Sequence, residues 1–243
     1  MKFETEYNIG DKVEIDADRD GNKYLTIHCG SRNFGLKVAT YYQKKAVKIS
    51  KAMKVVVPNG LEYLPNGYGA EDYLSMIKVA HDYACANRRM IIERLLEYFD
   101  VSMVKERVIE SVHNYISPRD NIVRKGAVSA KKGEDVIIPF NMADGIILGR
   151  GKSNKDYNFS APHGAGRSFG RKDMKRQLAE GKITMCEFTD RMSGVYSTSV
   201  CKNTIDESPM AYKPVESVMK HIQETVDIQA WMKPVYNLKD DTK

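Results

Sequence analysis

Residues 160–167, Ser-Ala-Pro-His-Gly-Ala-Gly-Arg, combine residue types that could do chemistry at a phosphate group. Glycines let backbone N–H groups come close to an anion because no Cβ intervenes. Arg167 adds a fork of N–H donors that matches phosphate oxygens. His163 therefore stands beside a place for phosphate, where its imidazole could attack phosphorus or move a proton. A Pro-Gly turn with an unrelated histidine gives the same pattern, and this segment alone does not separate the two interpretations.

The five histidines differ in their predicted surroundings. His81 and His221 lie in segments with helical periodicity, which favours a structural or surface role for both. His28, His113 and His163 lie at the ends of predicted strands, and loops at strand ends are where sites are usually built. We expect these three to converge on one pocket, two as metal ligands and one as a nucleophile, since imidazole suits Mn, Fe and Zn ions.

The elements that must position these residues follow one another irregularly. Apolar alternation and turn signals predict strands over residues 23–28, 107–115, 122–130, 135–140 and 145–148. Helical spacing predicts helices over residues 33–53, 71–99, 171–179 and 214–226. Because there is no regular βαβ alternation, we expect an α+β fold with a mixed β core and flanking helices.

Composition narrows the class of protein. The 243 residues are 42% hydrophobic with a formal net charge of +6, which leans toward a polyanionic partner such as a nucleotide or nucleic acid. An ordinary basic protein has the same balance. The four cysteines form no CxxC pair, which argues against a disulfide framework or structural zinc and indicates a reducing, cytoplasmic compartment. No signal peptide is expected, and no apolar run approaches the ~20 residues of a membrane span.

Five motifs occur in one order along the chain. They are His-Cys-Gly-Ser-Arg-Asn-Phe-Gly at 28–35, His-Asn-Tyr at 113–115, Ala-Pro-His-Gly-Ala-Gly-Arg at 161–167, Met-Ala-Tyr-Lys at 210–213 and Pro-Val-Tyr-Asn-Leu-Lys at 234–239. Together they resemble the RtcB family of RNA-splicing ligases, and the resemblance covers nearly the whole chain. It implies an RtcB-like fold with residues 1–243 as a single domain, truncated at its N-terminus relative to the family.

The resemblance implies a GTP- and Mn²⁺-dependent enzyme of tRNA splicing and RNA repair. Such ligases join an RNA 3′-phosphate, or a 2′,3′-cyclic phosphate, to a 5′-hydroxyl. His163 would attack the α-phosphate of GTP and carry GMP as a phosphoramidate while pyrophosphate leaves. GMP would then pass to the RNA 3′-phosphate, and attack by the 5′-hydroxyl would release it. His28 and His113 would be metal ligands.

The resemblance also implies a guanylate pocket. Glu14 would face the guanine, Tyr212 would stack near it, and Lys239 would help to hold the nucleotide. The complete implied set is Glu14, Asn114, Pro139, Phe140, Asn141, Met142, Ile146, Gly164, Ala165, Gly166, Tyr212 and Lys239.

The chain departs from the family pattern near its N-terminus. The family has an upstream segment with a metal-binding Asp and a bridging Cys, and the sequence begins after it. Asp11 aligns with a metal-binding His of the family and is a candidate Mn²⁺ ligand, since carboxylates suit this ion. Cys29 replaces the usual Ser, either as a substitute thiolate or as a small-residue replacement.

Three interpretations follow from this departure. The chain is one half of a split ligase that needs a separate N-terminal chain or activator. Alternatively, it is a truncated form that binds GTP or RNA and ligates poorly. The third interpretation is a degenerate relative that serves as a non-catalytic nucleotide- or RNA-binding protein, or as a structural protein.

Overall fold

A computed structural model describes residues 12–101, 108–117 and 120–239. The chain divides into two compact units, one formed by residues 28–102 and one by the remainder. Asp11 lies outside the described residues. Among the described residues no helix is both long and apolar enough to cross a membrane. A single domain over residues 1–243 stays a prediction.

The larger unit is built on a six-stranded sheet. Its order is β2 (Lys23–His28), β1 (Lys12–Ala17), β10 (Val226–Lys239), β7 (Ile146–Gly151) and β6 (Asp135–Pro139), with β9 (Tyr196–Ser197) parallel to β10. Three helices accompany it: α3 (Arg171–Ala179), α4 (Met185–Arg191) and α5 (Val215–Thr225). Because antiparallel and parallel pairs share one sheet beside helices, the expected α+β fold with a mixed β core is confirmed.

Strand β10 holds the sheet together. Its first half, from Val226 to Met232, pairs antiparallel with β7, and its second half pairs antiparallel with β1. In that second half Glu14 lies opposite Asn237, and Lys12 lies opposite Lys239. Opposite residues of an antiparallel pair point to the same face. One face of this strand pair therefore carries a row of polar side chains.

Two apolar clusters stabilise the larger unit. Helix α5 buries Val215, Val218 and Ile222, whose spacing places them on one helical face, and the helix contacts β10 and β8 (Ser160–Pro162). A second cluster forms around Phe188 of α4. Burying a large apolar side chain contributes about 1.5–3 kcal/mol, so these clusters are the main support for the loops between the strands.

The unit of residues 28–102 is a helical hairpin. Helix α1 (Arg32–Ala52) and helix α2 (Ala70–Tyr98) contact each other through Tyr42 and Tyr73, whose rings stack at 4.7 Å. Gly69 precedes α2 with φ of 101°, a conformation that favours glycine. Both helices lie within one residue of their predicted bounds.

Two strand predictions need correction. In the predicted strand 107–115, the described residues before Asn114 have no regular structure, and only β3 (Asn114–Ile116) forms. The predicted strand 122–130 is broken at Gly126, with φ of +69°. It becomes β4 (Val123–Lys125), which pairs with β3, and β5 (Ala127–Ser129), which pairs with β8 (Ser160–Pro162). Since each short strand has a different partner, the chain must bend between them.

Candidate active site

His113 and His163 lie together in the larger unit. Their rings stack with centroids 4.4 Å apart and planes 26° from parallel. His163 directly follows β8 and His113 directly precedes β3, so two short strand pairs bring the rings into contact. Of the three histidines expected to converge, the structure brings these two together, and the convergence of His28 with them stays a prediction.

Gly126 joins the two histidine segments. Its N–H donates to the His113 carbonyl at 3.0 Å and to Asn114 Oδ1 at 2.9 Å. Its carbonyl accepts from the backbone N–H of His163 at 3.4 Å. A Cβ at this position would lie 3.4 Å from His163 Cε1. The glycine therefore supplies both the positive φ of the bend and the space beside the imidazole.

The glycine loop after His163 is held closely against the protein. A Cβ on Gly164 would lie 2.8 Å from the Pro139 carbonyl oxygen, so only glycine fits without a shift of backbone. Ala165 is buried in the apolar core. The Gly166 carbonyl accepts from the N–H of Lys213 at 3.0 Å. These contacts fix the loop beside the imidazole.

Arg167 binds protein groups. Its guanidinium donates to the Phe169 carbonyl at 3.1 Å and to the Asp206 carbonyl. It also lies over the Tyr212 ring, with the guanidinium carbon 5.0 Å from the centroid, and 3.6 Å from Glu207. The guanidinium thus connects the glycine loop to the segment around Tyr212. Binding of phosphate oxygens by Arg167 stays a prediction.

Glu207 is the centre of a buried ionic cluster. Its carboxylate lies 2.9 Å from Lys239 Nζ, accepts from Tyr212 Oη at 2.5 Å and accepts from Arg171 Nη2 at 2.7 Å. Burial would raise the pKa of Glu207, but the Lys239 charge and these hydrogen bonds outweigh it and lower the pKa to about 2. Burial and the neighbouring Glu207 raise the pKa of Tyr212, so its hydroxyl stays protonated and donates.

The polar row on β1 and β10 ends in buried oxygens without partners. Asn237 Nδ2 donates to Glu14 Oε1 at 2.6 Å, and Lys12 Nζ lies 2.6 Å from the same oxygen. Within the described residues, Glu14 Oε2 and Asn237 Oδ1 are buried and accept no hydrogen bond. Buried acceptors without a donor are costly and call for an explanation. A bound molecule that donates hydrogen bonds would provide one.

Asp16 adds a second buried carboxylate two residues along β1. Its Oδ2 accepts from Thr26 Oγ1 at 2.7 Å, and Oδ1 has no hydrogen-bond partner in the described part of the chain. Burial, and then the charge of Glu14, raise the pKa of Asp16 to about 7. This group is therefore poised to change its charge near neutral pH.

The other predicted pocket residues lie in four kinds of surroundings. Asn114 is exposed, with its side-chain oxygen bound to Gly126. Asn141 closes a turn, accepting from the N–H groups of Ala143 and Asp144. The side chains of Phe140, Met142 and Ile146 are buried in the apolar interior. Pro139 contributes its carbonyl beside Gly164. The contribution of these residues to a guanylate pocket stays a prediction.

A complete metal site does not follow from the described residues. Among them, no group of three or more His, Cys, Asp or Glu side chains could hold a metal ion. His28 is the last residue of β2 and opens the unit of residues 28–102, and its role as a ligand stays a prediction. In that same unit Cys29 is buried, and its sulfur accepts from Asn87 Nδ2 at 2.9 Å.

Sequence reasoning missed part of the site. Glu207, Asn237, Asp16 and Lys12 were not among the predicted site residues. Lys12, Glu14 and Asp16 alternate with Val13 and Ile15, a pattern that predicts a strand with one polar face. Glu207 follows Asp206 in a short 3₁₀ helix and carries no comparable signal.

Comparison with known proteins identifies the family. The family model described as tRNA-splicing ligase RtcB matches residues 7–240, and the chain therefore belongs to the RtcB family. It is 28% identical over 244 residues to the RNA-splicing ligase RtcB of Escherichia coli K12, covering 93% of this chain and 58% of that protein. It is also 28% identical over 254 residues to the tRNA-splicing ligase RtcB of Thermococcus kodakarensis, covering 89% of this chain and 52% of that protein. The chain thus spans little more than half the length of these relatives.

Proposed function

We propose that this chain carries out the guanylate-transfer chemistry of an RNA ligase, with GTP as the nucleotide and His163 as the nucleophile. The substrates would be RNA ends with a 3′-phosphate or 2′,3′-cyclic phosphate on one side and a 5′-hydroxyl on the other, as in tRNA splicing. Family membership and the names of the relatives support the ligase class.

The observation that carries this proposal is the placing of His163 against His113 at the start of a tightly held glycine loop. The ring centroids are 4.4 Å apart, Gly126 leaves the space beside the imidazole free of a Cβ, and Gly164 holds the loop close to the Pro139 carbonyl oxygen. An imidazole nitrogen there can attack the α-phosphorus of GTP, form a P–N bond and release pyrophosphate. Transfer of GMP to the RNA 3′-phosphate breaks that bond, and the 5′-hydroxyl then displaces GMP.

The polar face of β1 and β10 carries hydrogen-bond acceptors that match the donors of guanine. Guanine has an N1–H and an exocyclic amine, both donors, on one edge. Glu14 Oε2 and Asn237 Oδ1 are buried acceptors without donors among the described residues. Tyr212 and Lys239 are linked to this face through Glu207, which fixes their side chains. A guanine seated here would satisfy acceptors that are otherwise costly to bury.

Mn²⁺ is proposed from family membership. His113 is the candidate ligand in the larger unit, and the ion would neutralise phosphate charge when bound. His28 and Asp11 are the further candidates. The described residues by themselves present no group of three such ligands.

The test is incubation with GTP labelled on the α-phosphate, with and without Mn²⁺, followed by a denaturing gel. We expect the wild-type chain to retain label in an adduct that is labile in acid and stable in alkali, and His163→Ala to retain none. His221→Ala is the matched control, since His221 lies exposed on α5 and should not affect labelling.

Two other results would contradict the proposal. Labelling that survives His163→Ala would place the nucleophile elsewhere. Binding of GTP without any adduct, also after addition of the N-terminal segment of a relative as a separate chain, would support a nucleotide-binding protein without ligase chemistry.

A further inference from the structure

The exposed side of helix α1 is rich in positive charge. The 21 residues of this helix include six basic side chains and no acidic one. Four of them, Lys37, Lys44, Lys48 and Lys51, are exposed, and none forms an ion pair within the described chain. A surface helix of ordinary composition carries both signs of charge, which stabilise each other.

The four lysines form a single row. Together with Tyr41 they are spaced by four, three, four and three residues, which keeps them on one face of an α-helix. At 1.5 Å per residue the row from Lys37 to Lys51 is about 21 Å long. The buried residues Val38, Tyr42, Ala46 and Ser50 lie on the opposite side of the helix. We name the row of Lys37, Tyr41, Lys44, Lys48 and Lys51 the lysine stripe.

Tyr41 places an aromatic ring within the lysine stripe. Its side chain is 63% exposed, and its ring meets the buried Tyr42 edge-on at 5.0 Å. Tyr42 is in turn stacked on Tyr73 of α2, so the exposed Tyr41 ring packs against a ring that is itself held in place. Lys37 and Lys44 lie one turn to either side of it. A cationic row with an aromatic ring among its charges is how proteins bind single-stranded nucleic acid without reading its sequence.

We propose that the lysine stripe is a docking surface for the phosphate backbone of single-stranded RNA, with Tyr41 stacking on a base. The choice of RNA rests on the proposed function. The burial of the apolar side of α1 disfavours a membrane, because an interfacial helix must insert that side into the lipid. The row of lysine ammonium groups complements the row of phosphate charges along an RNA backbone.

The test measures RNA binding apart from ligation. The probe is a short oligouridylate with hydroxyls at both ends, which the proposed reaction cannot join, and fluorescence anisotropy reports its Kd at several NaCl concentrations. The test variant is Lys44→Gln/Lys48→Gln. The matched control, Lys155→Gln/Lys220→Gln, removes the same charge from two exposed lysines of the larger unit.

The stripe variant should bind the probe about tenfold or more weakly near 0.1 M salt, with a salt slope smaller by about 1.4, that is, about 0.7 for each lost phosphate contact. The control should change the Kd by less than about twofold. Tyr41→Ala should raise the Kd by roughly fivefold to a hundredfold at every salt concentration, and Tyr41→Phe should not. Circular dichroism checks that each variant keeps its helices.

Three results would overturn the inference: equal losses in the stripe variant and the control, no loss in either, or stripe-dependent binding to phosphatidylserine vesicles as tight as that to RNA. The GTP-labelling assay separates this inference from the proposed function. The stripe variant should still be labelled, and His163→Ala should still bind the probe. If the wild type binds the probe through the stripe but takes no label, the ligase proposal fails and the docking surface stands.

Discussion

Replacing Asp16 by Asn tests the electrostatics of the polar face directly. Asp16 is fully buried on β1, keeps one hydrogen bond from Thr26 and lies two residues from the carboxylate of Glu14. Burial and this neighbouring charge raise its pKa from 3.8 to about 7. Asn has nearly the same shape, can still accept from Thr26 and carries no charge. The substitution therefore removes the charge and little else.

The magnitude follows from the linkage between protonation and folding. Because the pKa is raised in the folded state, the ionised carboxylate destabilises the protein. Its cost is absent below pH 3.8, grows by about 1.4 kcal/mol for each pH unit above that, and is complete above about pH 7. The difference in free energy of unfolding between Asp16→Asn and wild type, in favour of the variant, should therefore grow by about 2–3 kcal/mol as the pH rises from about 5 to about 8.

The assay is urea unfolding of both proteins across that pH range, with the difference between them plotted against pH. Effects of other groups cancel in the difference. Asp20→Asn is the matched control, since it makes the same chemical change at an exposed residue of the adjacent turn. A flat curve for Asp16→Asn would refute the reasoning, because it would mean that Asp16 titrates in the folded protein as it does in the unfolded chain.

Two further substitutions test the supports of the site. Glu207→Gln should lower the free energy of unfolding in urea by about 2–4 kcal/mol at neutral pH, because it removes the counter-charge of Lys239. The loss should shrink as the pH falls from about 4.5 toward 2, since the wild-type carboxylate also becomes neutral there. Undiminished loss in acid would contradict this. Gly164→Ala should reduce GTP labelling at least tenfold, because its Cβ would lie 2.8 Å from the Pro139 carbonyl oxygen. Gly133→Ala is the control for a general loss of stability: its φ of +78° is unfavourable for alanine, but its Cβ meets nothing within 4 Å, and labelling of the folded protein should persist. Equal labelling in both variants would show that the loop can shift at no cost.

Four of the helices and the chemical motifs could be predicted from the sequence because their signals are local, whereas the seven-residue helix α4 was missed. Helices α1 and α2 have long runs of apolar residues at helical spacing, and their observed bounds agree with the prediction to within a residue. His113 and His163 each end or begin a short strand beside a turn. Positions at strand ends led to the prediction that they converge with His28, and the structure brings His113 and His163 together with ring centroids 4.4 Å apart.

The polar end of the site could not be predicted in the same way, because it depends on pairing between distant strands. Glu14 meets Asn237 only because β1 pairs with the last strand of the sheet, 223 residues away along the chain. Strand β10 itself was not predicted, since its alternation is interrupted by a register shift near Ile228 and by Pro234. The strand predicted over residues 122–130 was wrong because the chain bends at Gly126, so that the residues before and after it pair with different strands.

The two halves of β10 suggest why such a site tolerates so many buried charges. Between Val226 and Met232 the strand pairs with β7, and the side chains of Val226 and Met232 at the two ends of this stretch are buried. The same strand then continues into Asn237 and Lys239, where acceptors that have no donor among the described residues and an ionic cluster cost stability. Because the strand is continuous, the apolar half fixes the register of the polar half, and each polar side chain keeps its place before any ligand arrives. In a pocket whose side chains are already ordered, little binding free energy is lost on ordering them, and this preorganisation favours tight binding of a small ligand.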